Sequence, residues 1–182
     1  RQISGDWQVR KDLSNSIDGS INYQNASAIA IERVEKAIYS AMLLVYIQGF
    51  HQLQVASKEY GFSYTLAQVA RTWRNGCIIN SQMVRFLADA LESIKTHPLL
   101  VPILGDQLRT DIESLRFVVA NAALSGLSLP CMSANLWYWD AFTRAELPTK
   151  LIQAQRDYFG GHGYQTGPES ALTSFPWEEP TN

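Results

Sequence analysis

From Ser27 to about Ser57, apolar residues recur at three- and four-residue spacing: Ile31, Val34, Ile38, Ala41 and Val45. That spacing marks one face of a helix with 3.6 residues per turn. A helix of about 30 residues runs roughly 45 Å at 1.5 Å per residue, the length of a whole domain. The rest of the chain has to pack around such an axis. Ala37, Ser40, Ala41 and Gly49 are small enough to let neighbouring helices come close. Ser27 is the expected N-cap, because a serine hydroxyl accepts a bond from an orphan backbone N–H. Gly61 is the expected stop.

Shorter helical patterns follow. Thr65 to Arg74 ends before Asn75-Gly76, and Ser81 to Ile94 carries Val84, Leu87, Ala88 and Leu91 on one face. Asp106 to Leu124 carries Leu108, Ile112, Leu115, Val119 and Ala122, with Gly126 closing it. Met132 to Thr143 and Thr149 to Phe159 complete the series, the last ended by Gly160-Gly161. No segment alternates with period two, so the expected fold is all-α: a bundle-like helical domain with one very long helix. Residues 1–26 read as a short helical start and a loop. Residues 163–182 mix Gly, Pro, Ser and Thr with Phe175 and Trp177, as an extended C-terminal tail does. The expected division is a helical domain over 1–160 and a tail over 161–182.

Composition narrows the function classes. The chain has 182 residues, 46% of them apolar, and a formal net charge of -2. Its basic residues are scattered, which argues against nucleic-acid binding by concentrated positive charge. The longest apolar run, Ala41 to Ile47, is far short of the ~20 residues that cross a bilayer. Two cysteines, Cys77 and Cys131, form no disulfide framework and fit buried thiols in a reducing compartment. The first residues are polar and carry no leader pattern. The expectation is a cytoplasmic chain with no membrane or nucleic-acid partner.

Chemistry-bearing residues are few. No Gly-x-Gly-x-x-Gly turn exists to hold a dinucleotide pyrophosphate, and Gly160-Gly161-His162-Gly163 has the wrong spacing, so no cofactor-binding residue is assigned. His51, His97 and His162 do not share metal-ligand spacing with each other or with the cysteines, and no metal site is expected. His51 reads as a core-edge residue and His97, before Pro98, as a turn residue. There is no nucleophile elbow, and Asp140 and Glu146 resemble surface acids. Trp137, Tyr138, Trp139 and Phe142 read as core. The exception is Leu151 to His162, where Arg156 and His162 flank a helix end. A guanidinium grips phosphate or carboxylate with a fork of donors, and an imidazole adds one more bond. On spacing alone the plainer reading is favoured: Arg156 paired with a nearby acid and His162 in a loop.

The same stretch resembles the signature near the C-terminus of 6-phosphogluconate dehydrogenases. Trp73-Arg74-Asn75-Gly76-Cys77-Ile78-Ile79 is similar to that family's Trp-Arg-Gly-Gly-Cys-Ile-Ile. The long helix, Leu129-Pro130-Cys131 and Leu147-Pro148 match in the same order, over about residues 27–164. Departures are Asn80, where the family commonly has arginine, and Gly160-Gly161-His162-Gly163-Tyr164 in place of Gly-Ala-His-Thr-Tyr. Phe175-Pro176-Trp177 replaces Phe-His-Thr-x-Trp.

The resemblance implies an NADP-dependent enzyme of the pentose phosphate pathway that oxidatively decarboxylates 6-phosphogluconate to ribulose 5-phosphate. It implies a homodimer in which each tail enters the partner's active site. Arg156 and His162 then match tail residues that bind substrate, and Arg1 matches a further arginine on the phosphate. The catalytic base and acid and the nicotinamide contacts belong to segments upstream of this sequence, including a Rossmann domain that it lacks, so no catalytic residue is assigned here. Two other readings stay open: a helical dimerisation module without catalytic role, and a related dehydrogenase of another hydroxy acid.

Overall fold

In the computed structural model, residues 5–17, 20–22, 30–92, 94–167 and 169–177 are described. Among them seven α-helices follow one another: α1 Trp7–Ser16, α2 Ile31–Tyr60, α3 Leu66–Thr72, α4 Gln82–Ala90, α5 Pro102–Leu124, α6 Pro130–Phe142 and α7 Lys150–Gly160. A 3-10 turn, Pro98–Leu100, precedes α5. The described residues contain no strand, only an antiparallel bridge between Tyr164 and Thr173. The all-α expectation holds. None of the described helices is long and apolar enough to cross a membrane. The chain divides into two compact units, Arg1–Trp139 and Asp140–Asn182.

In the first unit α2 is the axis and packs most extensively against α5. It buries Ala37, Ser40, Ala41, Leu43, Leu44, Ile47 and Phe50. The opposing face of α5 buries Leu104, Leu108, Ile112 and Leu115. Each large apolar side chain removed from water here contributes about 1.5–3 kcal/mol before entropy is counted. The stripe chosen from periodicity is only partly the buried one. Ala41 is inside, but Ile38 is 48% and Val45 54% exposed, and Ile31 lies open as well. The reason is that α2 is apolar nearly all round, so periodicity alone finds a face without saying which face α5 covers. Gly61 ends α2 in the left-handed conformation, φ 68°, as expected. The N-cap is Ala30, with no side-chain capping bond; Ser27 lies outside the described residues.

α3 and α4 pack on each other. Thr65 caps α3 through a capping box: its hydroxyl accepts from Gln68 N–H, and Gln68 Oε1 accepts from Thr65 N–H. Ser81 caps α4, and the expected face of Val84, Leu87, Ala88 and Leu91 is buried. α5 starts at Pro102, ahead of the expected Asp106, because a proline at the first helical position loses no hydrogen bond. For the same reason α6 includes Pro130 and Cys131, which read from sequence as a turn.

Two expectations are corrected in this unit. Cys131 is exposed and Cys77 half-buried, so neither thiol is a core residue. Trp137 is 70% exposed, because Asn135 and Leu136 occupy the inward positions of α6. Buried Asn135 instead accepts from Gln48 Nε2 at 2.7 Å and ties α6 to α2. His97 is a turn residue as expected, and its ring also joins a cluster. Its Nδ1 accepts from Leu99 N–H at 3.1 Å, its Nε2 lies 3.0 Å from the Tyr138 hydroxyl, and His51 packs edge-on at 4.1 Å. Burial lowers the pKa of His97 and pushes that of Tyr138 up to about 12.

Candidate functional site in the last helix and tail

The second unit is built differently. Leu147 and Pro148 start α7 by accepting from the N–H groups of Lys150 and Leu151. Lys150 also pairs with Glu146 at 2.9 Å, one turn back. Of the α7 side chains only Asp157 is buried, at 2% exposure. Gly161 ends the helix at φ 57°, and its N–H donates to the Asp157 carbonyl. The tail then turns and comes back antiparallel, with Tyr164 and Thr173 exchanging backbone bonds of 2.8 and 3.0 Å.

The Asp157 carboxylate ties this loop to the helix. Oδ1 accepts from Gly163 N–H at 2.9 Å and from the Ser174 hydroxyl at 2.8 Å. Oδ2 accepts from Phe175 N–H at 2.9 Å and from Trp177 Nε1–H at 3.0 Å. The bond from the Phe175 amide, with those from Ser174, Trp177 and Gly163, holds its pKa down at about 2 against the opposing cost of burial. Trp177 also stands edge-on to Tyr158, ring centres 5.3 Å apart, and leans on Phe175 at 4.9 Å.

Between helix and loop lies a cavity of about 760 Å³. Lys150, Arg156 and His162 line it on the polar side, and Leu172, Phe175 and Trp177 on the apolar side. Arg156 is exposed and donates to Gln153 Oε1 at 3.4 Å. Among the described residues it forms no ion pair with an acid, so no neighbouring carboxylate neutralises its charge beside the cavity. His162 is exposed too, and its ring lies over Gly160: a Cβ there would come within 2.6 Å of Nε2. The structure thus brings together two of the three residues singled out from sequence. Arg1 lies outside the described residues.

Sequence reasoning missed Lys150 and Asp157. Lys150 gives no local signal, because a lysine beside a glutamate one turn away reads as a surface pair. Asp157 does carry one: an acid in the last turn of a helix opposes the helix dipole, which favours cations there. Such an acid needs donors from elsewhere, and the loop supplies them.

Chemically, the guanidinium of Arg156 and the imidazole of His162 can both donate to an anion with several oxygens, while the Lys150 ammonium on the same cavity is paired with Glu146. The family described as 6-phosphogluconate dehydrogenase, C-terminal domain, matches residues 1–177. The chain belongs to that family. It is 32% identical over 183 residues to the decarboxylating 6-phosphogluconate dehydrogenase of Lactococcus lactis, covering 97% of this chain and 38% of that protein. The enzyme of Schizosaccharomyces pombe is 40% identical over 151 residues, 80% of this chain and 30% of that one. A Plasmodium falciparum 6-phosphogluconate dehydrogenase has the same fold, with a TM-score of 0.83 and 29% identity, over 97% of this chain and 39% of its own. That enzyme was solved without ligand, with its cofactor NADP+ and with its substrate 6-phosphogluconate. The chain therefore spans less than two fifths of the length of these relatives.

Proposed function

We propose that this chain is the C-terminal part of an enzyme that oxidatively decarboxylates 6-phosphogluconate to ribulose 5-phosphate with NADP. In this reading its own contribution is substrate binding and subunit association. The observation that carries it is the grouping of Arg156, His162 and Lys150 around one cavity in a member of this family. A phosphate monoester carries about -1.5 to -2 charge at neutral pH and matches an arginine fork with further donors beside it. Arg156 holds the phosphate, and His162 donates one bond to the bound substrate. Arg1, placed by resemblance, adds a second guanidinium. Gripping the phosphate at one end of a six-carbon chain orients the hydroxyl and carboxylate at the other, so remote binding energy serves the reacting carbons.

NADP supplies hydride acceptance when bound to the whole enzyme. The described residues do not fit it: they contain no strand leading through a glycine-rich turn into a helix. We therefore assign its binding, and the groups that move protons, to parts of the enzyme outside this sequence. A homodimer with exchanged tails is part of the proposal. The open apolar stripe of Ile31, Ile38, Met42 and Val45 on α2 supports self-association, because contiguous exposed apolar surface marks an interface. A cytoplasmic location goes with this metabolic role.

Replacing Arg156 by alanine in the whole enzyme tests the reading. The expected result is a KM for 6-phosphogluconate raised by about 10- to 100-fold, the loss of a charge-assisted hydrogen bond, with KM for NADP unchanged. An unchanged KM for 6-phosphogluconate overturns it and leaves a helical association module as the better description.

A further inference from the structure

We propose that the C-terminal end of α7 is a mould for His162, in which Asp157 and Gly160 act as positioning residues for substrate affinity. This rests on the reading of Arg156 and His162 as substrate-binding groups. Arg156 and Gly160 are four residues apart on one helix and therefore lie on the same face, one turn above the other. The His162 ring covers Gly160, and Arg156 and His162 both line the one cavity. Any side chain at 160 occupies that seat. An alanine Cβ would come within 2.6 Å of Nε2 and 2.8 Å of Cδ2, closer than non-bonded atoms tolerate.

Asp157 controls the backbone on the other side of the ring. Its Oδ1 holds the N–H of Gly163, the residue that follows His162, and Gly163 is left-handed at φ 68°. Its Oδ2 accepts from Phe175 and Trp177, which line the same cavity. The ring is thus given room by the missing Cβ at Gly160 and aimed by the anchored peptide at Gly163, while neither Asp157 nor Gly160 offers the anion a donor side chain.

The substitution Gly160→Ala separates positioning from folding. Gly160 is the last residue of α7 and is not left-handed, so alanine meets no backbone strain there. The clash falls on an exposed ring that can swing away, so the ring gives way and the helix stays. In the whole enzyme, Gly160→Ala is expected to raise KM for 6-phosphogluconate about 3- to 10-fold, up to the loss of one hydrogen bond, with kcat and KM for NADP little changed. Its effect must also vanish once the ring is gone: Gly160→Ala combined with His162→Ala should match His162→Ala alone. Asp157→Asn, which keeps an acceptor for Gly163 but cannot accept at the other position, should fall between wild type and Asp157→Ala.

If Asp157→Ala does not fold, the glycine cycle decides by itself. Additive effects of Gly160→Ala and His162→Ala, or an unchanged KM in Gly160→Ala, overturn the mould. The parallel Arg156→Ala measurement tells the two failures apart: a raised KM there with normal Gly160→Ala behaviour removes only this inference, whereas an unchanged KM there removes the site.

Discussion

The two units are held together by opposite physics. In Arg1–Trp139, α2 and α5 interlock through fully buried Leu43, Leu44, Ile47, Leu104, Leu108 and Leu115, and stability comes from apolar area removed from water. In Asp140–Asn182 no hydrophobic side chain among the described residues is buried, and the inward residue of α7 is a carboxylate that collects four donors. Apolar packing is diffuse and tolerates modest changes at any one position. A carboxylate hub is directional and holds particular backbone groups, here the amides of Gly163 and Phe175. The scaffold is packed, and the proposed binding surface is wired.

That contrast is open to attack at several points. The largest effect is expected at Phe50, which is buried against Trp73 and Tyr46. Phe50→Ala should cost about 3–5 kcal/mol, read by denaturant unfolding. A loss below 1 kcal/mol would mean that the first unit does not depend on this core. Next is Ile38, on the open side of α2. Ile38→Asp should weaken self-association by more than about 1 kcal/mol in light scattering while helical circular dichroism stays unchanged. A dimer unaffected by it places the interface elsewhere.

The smallest effect on the whole molecule, and the most local, is acid loosening of the tail. Asp157 is held at about 2, below its ordinary 3.8. A carboxylate depressed on folding stabilises above its unfolded pKa and stops doing so as pH falls through the folded one. The latch should therefore be intact above pH ~4 and lost on the way to pH ~2. The amide resonances of Gly163 and Phe175 report it, with an expected midpoint near 2. A midpoint at the ordinary carboxylate value would show the latch open in solution.

Much of this was legible in the residues. Val84, Leu87, Ala88 and Leu91 identify their own buried face, because α4 is apolar on one side only. Thr65 with Gln68, Ser81, Gly61 and Gly161 declare helix ends by local chemistry that operates without the rest of the fold. Arg156 and His162 stand out as donors flanking a helix end, in the stretch that carries the family resemblance. Illegible were the choice between two apolar faces of α2, the outward turn of Trp137 and Cys131, and the role of Asp157. Each depends on a partner distant in sequence. Gln48 with Asn135 is one such pair, and Asp157 with Trp177 another.

What the residue order determined by itself is local: periodicity sets helices, and caps and glycines end them. Tertiary structure alone decided which faces meet and where the tail returns. Hydrogen-bonded helix turns close over three or four residues, whereas burial and the Asp157 latch close over loops whose geometry no neighbouring residue encodes.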